Sequence, residues 1–108
     1  MKTYDVKISG LAKIKMKEIY DYIEESLHSK QNAINQYTRI ANAILSLSYM
    51  PERMKLVDFE PERSQGVRRM LIDNYSIFFI IDKSKSQVHV SNVIFSKSDI
   101  ETKLKEKE

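Results

Sequence analysis

The chain opens on an alternation. Tyr4, Val6 and Ile8 fall on one face of an extended segment and Asp5 and Lys7 on the other, which predicts a half-buried strand over about residues 3 to 8. After Ser9 and Gly10 the period changes. Ala12, Met16, Ile19, Tyr20, Ile23 and Leu27 recur at steps of three and four, predicting a helix over about 11 to 27, with His28 placed to complement its terminal carbonyls. A second stripe, Ala33, Tyr37, Ile40, Ala41, Ile44 and Leu47, follows the N-cap candidate Ser29 and must end before Pro51, so a second helix is predicted over about 30 to 48. The short connection around His28 and Ser29 makes the two an antiparallel hairpin. From Pro51 to Gly66 the periodicity dissolves into a long connecting loop, with at most a short strand at Lys55 to Asp58. Three β-branched and aromatic runs follow, "VRRMLID", "YSIFFII" and "QVHVSNVIF", separated by turn-formers at Asp73-Asn74 and at Asp82 to Ser86. The middle run is apolar on both faces apart from Ser76, the mark of a central strand. Last, Ser98-Asp99-Ile100-Glu101 fits a capping box before Ile100 and Leu104, predicting a short helix over about 98 to 106. The order β-α-α-β-β-β-α is a two-layer α+β design, with the helical hairpin packed on one face of an antiparallel-rich sheet.

Composition narrows the class. At 108 residues and 42% hydrophobic, the chain reads as one domain spanning residues 1–108. The absence of Cys excludes a disulfide framework and a Cys-based zinc site, and His28 and His89 lack ligand spacing, so neither a metal nor a cofactor is expected. No apolar run approaches the roughly 20 residues that span a bilayer, and the first ten residues lack a signal peptide's apolar stretch. A soluble cytoplasmic protein with no membrane partner is expected. The net charge of +3 suits a nucleic acid or an acidic protein partner without requiring either.

Several side chains carry candidate chemistry. Arg68 and Arg69 are consecutive on a strand, so only one can lie on the face the helices cover. Either is a solvated charge paired with Asp73 or a neighbouring carboxylate, or a guanidinium fork on a rigid strand for phosphate or carboxylate; Arg63 in the preceding loop can join it. Lys13, Lys15 and Lys17 crowd the start of the first helix against its dipole and read as a solvated face, with Lys17 and Asp21 as an i,i+4 pair. RNA cleavage by internal attack of the 2′-hydroxyl needs a base, a cation and an acid. His89, opposite in facing to Val88 and Val90, is the one histidine positioned to reach a groove, yet no spacing defines an active site.

"YDVKISGLAKIKMKEIYDYIEESL", "AINQYTRIANAILSLSYMPER", "SQGVRRMLIDNYSIFFIID" and "VHVSNVIFSKSD" together resemble the RelE/ParE superfamily of toxins from bacterial type II toxin-antitoxin modules, most closely its ParE-like, plasmid-stabilisation branch. The resemblance covers nearly the whole chain and implies the same α+β fold. It implies a toxin neutralised by a cognate antitoxin, as a homodimer or within a toxin-antitoxin heterotetramer, and two modes of action. One is growth inhibition by binding DNA gyrase; the other is ribosome-dependent cleavage of mRNA. The nuclease relatives carry a phosphate-contacting arginine where this chain has Ser76, and a basic or histidine residue near Ser96, so both positions have lost their charge here. Binding is therefore the expected mode, with Arg63, Arg68, Arg69 and Lys97 as target or phosphate contacts. The alternative is a rearranged nuclease site drawn from Arg68 or Arg69, His89 and Lys97. A third outcome is that only antitoxin binding survives.

Overall fold

The computed structural model describes residues 3–97 together with Ile100 and Leu104. Helix α1 runs over Gly10–Leu27 and helix α2 over Lys30–Leu45. Each starts on a serine: Ser9 Oγ accepts from the Ala12 N–H at 3.0 Å, and Ser29 Oγ from the Asn32 N–H at 3.1 Å. These caps satisfy first-turn amides that no helical carbonyl reaches. Ser29→Ala is expected to cost about 0.5–2 kcal/mol, measured by chemical denaturation. His28 ends α1 in the left-handed region (φ 50°) and its side chain is exposed, so it serves the turn through its backbone. The last residues predicted for the second helix form a separate 3-10 turn, Ser46–Ser48. Tyr20 and Tyr37 meet edge to face, with ring centroids 6.3 Å apart, across the hairpin.

Strands β1 (Asp5–Ile8), β2 (Arg68–Ile72), β3 (Tyr75–Asp82) and β4 (Gln87–Phe95) form one sheet in the order β1-β4-β3-β2. β1 lies parallel to β4 and the other pairs are antiparallel. Residues Tyr75 to Phe79 are all buried, as expected of a central strand. The register of β3 on β4 shifts between Phe78, opposite Asn92, and Phe79, opposite Val90, and the bulged Ser91 donates its hydroxyl to the Phe78 carbonyl at 3.2 Å. Phe79, Ile77, Val88, Val90 and Val93 face the helices and pack with Met16, Ile40 and Ile44 in the main core. Tyr37, predicted within that stripe, sits at its rim and is 41% exposed.

The segment between Pro51 and Gly66 does more than connect. After a 3-10 turn at Pro51–Arg53, Leu56 bridges Arg68, the Arg69 N–H donates to the Lys55 carbonyl at 3.1 Å, and the Val57 N–H donates to the Val67 carbonyl at 3.0 Å. This extends the β2 edge over its first residues and folds the segment beneath the sheet face that the helices leave open. Val57 and Val67 there join Phe78 and Ile94 in a second small core, with Phe59, Ile80, Ile100 and Leu104 packed against it. The capping box and most of the helix predicted over 98 to 106 lie outside the described residues. Among the described residues no helix is long and apolar enough to cross a membrane.

One ion pair locks the two layers. Arg39 on α2 grips Asp73 in the β2–β3 turn with Nε at 2.8 Å and Nη2 at 2.9 Å, and Gln36 Nε2 adds a third bond at 3.0 Å. Asp73 is thus held by a helix arginine, not by the strand arginines expected to reach it. The Arg39 hydrogen bond, then that from Gln36, keeps the Asp73 carboxyl below its ordinary value. A carboxyl depressed on folding stabilises the fold above its unfolded pKa, and this is lost as pH falls through the folded one. The stability gap between wild type and Asp73→Asn should therefore be widest near neutral pH and shrink below about pH 4, followed by urea denaturation across that range.

Candidate functional site

β2 sends its alternate residues to opposite faces, and this separates the two consecutive arginines. Met70 and Ile72 join the main core, so Arg68 shares their face, where its Nη1 donates to the Met54 carbonyl at 2.7 Å and to that of Glu52 at 3.4 Å. Arg63 likewise points Nη1 at the Val57 carbonyl, 3.0 Å away. Both guanidiniums brace the loop that forms the second core.

Arg69 takes the other face and has a different environment. Its carbon Cζ lies 6.0 Å from the centroid of the Phe78 ring, and its Nε donates to Ser76 Oγ at 2.9 Å. Ser76 Oγ lies in turn 3.0 Å from Ser96 Oγ, a bond either hydroxyl can donate. Ser76 is fully buried, so its hydroxyl must find partners within the protein, and these two supply them. The two positions noted in the sequence for their missing charge are thus neighbours, and an arginine from the adjacent strand reaches across to them. The sequence allowed an arginine of the neighbouring strand to compensate at these positions without saying which, and the one that reaches Ser76 is Arg69. The available signal was register: a β2–β3 turn at Asp73-Asn74 sets Leu71 opposite Ser76 and brings Arg69 within a diagonal of it.

The remaining candidates do not converge there. His89 shares the sheet face with Ile80, its partner across β3–β4, but pairs with Lys7 on the other side and is exposed toward the far end of β4 from Ser96. Lys97 follows Ser96 in the turn, exposed and without a described contact to the cluster. Tyr75 faces the helices, and burial raises its phenol pKa, which keeps the proton on. Arg63, Arg68 and Arg69 line a groove beside β2 together with Glu52, whose carboxyl is held below its ordinary pKa, chiefly by a hydrogen bond from its own backbone N–H, with help from the Tyr4 hydroxyl and the charges of Lys83 and Arg68. A carboxyl held ionised is a poor proton donor at neutral pH. Among the described residues the site therefore has a cation and hydroxyls but no adjacent acid–base pair, and no group of His, Cys, Asp and Glu that would hold a metal.

A second concavity lies between α1 and the end of the sheet. Tyr22, Ile19, Tyr75 and Phe95 line it, with Lys15 and Glu18 at its margin. Tyr75 and Phe95 meet edge to face at 5.8 Å, while Tyr22 is 68% exposed. Tyr22 and Phe95 thus leave apolar ring surface in reach of solvent at the mouth of this concavity.

This two-layer α+β fold carries an aromatic groove and a separate arginine-lined one. The sequence profile of the family described as the ParE toxin of the type II toxin-antitoxin system, parDE, matches residues 6–99, and the chain belongs to that family. Among solved structures it is similar to the chromosomal ParDE toxin-antitoxin system from P. aeruginosa, with a TM-score of 0.73 at 16% identity over 90% of this chain and 100% of that one. It is also similar to the RelBE2 toxin-antitoxin complex from Mycobacterium tuberculosis, with a TM-score of 0.59 at 18% identity over 86% of this chain and 98% of that one. Both likenesses bear out the RelE/ParE-type fold expected from the sequence. No curated protein matches the chain by sequence.

Proposed function

We propose that this type II toxin arrests growth by binding DNA gyrase and is neutralised by a cognate antitoxin. The observation that carries the binding mode is the Ser76–Ser96 hydroxyl pair, standing where the nuclease relatives hold charge. A transition state for RNA cleavage needs donors aimed at the developing phosphorane charge together with a base and an acid. Here the hydroxyls bond to each other and to Arg69, and His89 stands well apart along β4. Gyrase as the target follows from the ParE-like branch; the geometry supports the mode of action alone.

The antitoxin is proposed to lie across the helical hairpin and the groove edged by Tyr22 and Phe95, as a segment that folds on contact. Exposed aromatic rings beside Lys15, on a chain of net charge +3, favour a partner part apolar and part acidic. That both similar structures are toxin-antitoxin systems supports an antitoxin partner here.

One observation favours the rearranged nuclease as a second reading. Arg69 delivers a cation to the position of Ser76 from the neighbouring strand. Induced expression separates the two. Under the binding mode growth stops, a DNA damage response is induced, and primer extension shows intact mRNA, whereas codon-specific cuts that disappear in Arg69→Ala would establish the nuclease.

A further inference from the structure

The Arg69 side chain is built as a receptor. Its guanidinium is fixed on one edge by Nε to Ser76 Oγ at 2.9 Å, and Ser76 is fixed by Ser96 at 3.0 Å. One face rests toward the Phe78 ring, itself fully buried. The Nη atoms have no described protein partner, and no described carboxylate lies within ion-pair distance of the group. Arg69 lines the open groove beside β2, and Leu71, two residues along on the same face, is 63% exposed. The Arg69 N–H points outward to the Lys55 carbonyl, so by strand alternation the Leu71 N–H and carbonyl point outward too, and no described backbone bond meets them. The site thus offers, within two residues of one strand, a preorganised fork, an exposed apolar side chain and a length of open sheet edge.

We infer that Arg69, positioned by the Ser76–Ser96 hydroxyl pair, binds a side-chain carboxylate of an extended segment of a protein partner, whose neighbouring apolar residue covers Leu71. This rests on the reading that the toxin acts by binding, and it names the chemistry of one contact. Charge decides between a protein and a nucleic acid. Arg63 and Arg68, the other arginines of the groove, direct Nη1 at loop carbonyls, and Glu52 and Asp58 lie among the lining cations. A nucleic-acid backbone places a phosphate at every nucleotide and gains affinity from a row of cations. Of the lining cations Lys55, Arg63, Arg68 and Arg69, two arginines are engaged with loop carbonyls, and two carboxylates share the lining. A single carboxylate meets only the fork, whose two free nitrogens match its two oxygens. Leu71 and the open edge add apolar contact and main-chain pairing, the mode by which extended peptides join a sheet.

The test is a titration of the isotope-labelled full chain, following the Arg69 Nε–Hε signal by NMR. The probes are the peptide acetyl-Leu-Ala-Glu-amide, whose first and third side chains share a face when extended, its Gln counterpart, inorganic phosphate and a short single-stranded RNA. The Glu peptide should shift the Arg69 signal and the Leu71 amide, and the Gln peptide should bind about tenfold more weakly or less. Arg69→Lys, which keeps the charge and loses the fork, should weaken the Glu peptide by a similar factor. Ser76→Ala should weaken it too, with the Arg69 Nε–Hε signal broadened in the free protein because the guanidinium is no longer fixed. The melting transition of each variant checks that it is folded. Equal binding of the Gln peptide, unchanged affinity in Arg69→Lys or Ser76→Ala, or a larger Arg69 response to phosphate or RNA would overturn the inference. Growth arrest with intact mRNA in the same strains keeps the toxin reading separate: a toxin that still arrests growth while the peptide fails to bind sinks only this contact.

Discussion

Phe79→Ala is expected to remove about 3–5 kcal/mol of stability, which leaves a domain of this size close to unfolding at 37 °C. Phe79 is fully buried on the helix side of β3, where it joins Met16, Ile40, Ile44, Val88 and Val90 in the main core. Truncation removes the transfer free energy of the ring and leaves a cavity between the sheet and the helical layer that can close only by moving packed elements. Phe78, equally buried, faces the second core and the Arg69 guanidinium. Its truncation falls within the same range but should also free Arg69. Urea denaturation of the three proteins checks both: a loss under 1 kcal/mol at Phe79 would mean that the helices do not close on β3.

Much of this architecture is legible in the residues. The alternation of Tyr4, Val6 and Ile8 and the stripe from Ala12 to Leu27 each follow from one period, because each element buries one face, while the β3 run, apolar apart from Ser76, follows from burial on both. The β1–β4 parallel pairing was not legible, since adjacency of strands distant in sequence leaves no local pattern. The segment from Pro51 to Gly66 shows in sequence only a loop with at most a short strand at Lys55 to Asp58, because its covering function rests on Val57 and Phe59, spaced without a period and pinned by main-chain bonds to Val67 and the β2 edge. Of the site, Arg69 was legible as a candidate but not as the arginine that differs from Arg68. That difference arises from what each face of β2 meets: loop carbonyls on one side, two serine hydroxyls and a phenylalanine ring on the other. Strand register sets His89 toward the end of β4 opposite Ser96 and so apart from the cluster, whereas Lys97 stands one residue beyond Ser96.

The second large effect concerns activity. Loss of one preorganised donor to transition-state charge typically lowers a rate by about 10² to 10³, and the resemblance to the nucleases implies two such donors at positions that here hold Ser76 and Ser96. Arg69 restores one cation at most, tethered to Ser76 and without an acid or base beside it among the described residues. Purified toxin added to translating ribosomes should therefore leave mRNA uncut at the codon in the A site, and Arg68→Ala, Arg69→Ala and Lys97→Ala should leave that result unchanged. Where one of these substitutions relieves growth arrest, it marks a contact with the target. If wild type cuts and Lys97→Ala does not, the lysine one residue beyond Ser96 has replaced the missing charge and the chain is an enzyme.

Stoichiometry tests the central claim most directly. An inhibitor that works by occupancy acts only when its concentration approaches that of its target or its Kd, whereas an enzyme turns over and acts far below both. The decisive measurement is DNA supercoiling by purified gyrase titrated with the wild-type toxin, beside mRNA integrity in a ribosomal translation reaction at the same toxin concentrations. Supercoiling should fall as toxin approaches equivalence with gyrase while mRNA stays intact throughout. Intact supercoiling at toxin excess, with mRNA cleaved at toxin concentrations well below that of the ribosomes, would contradict it.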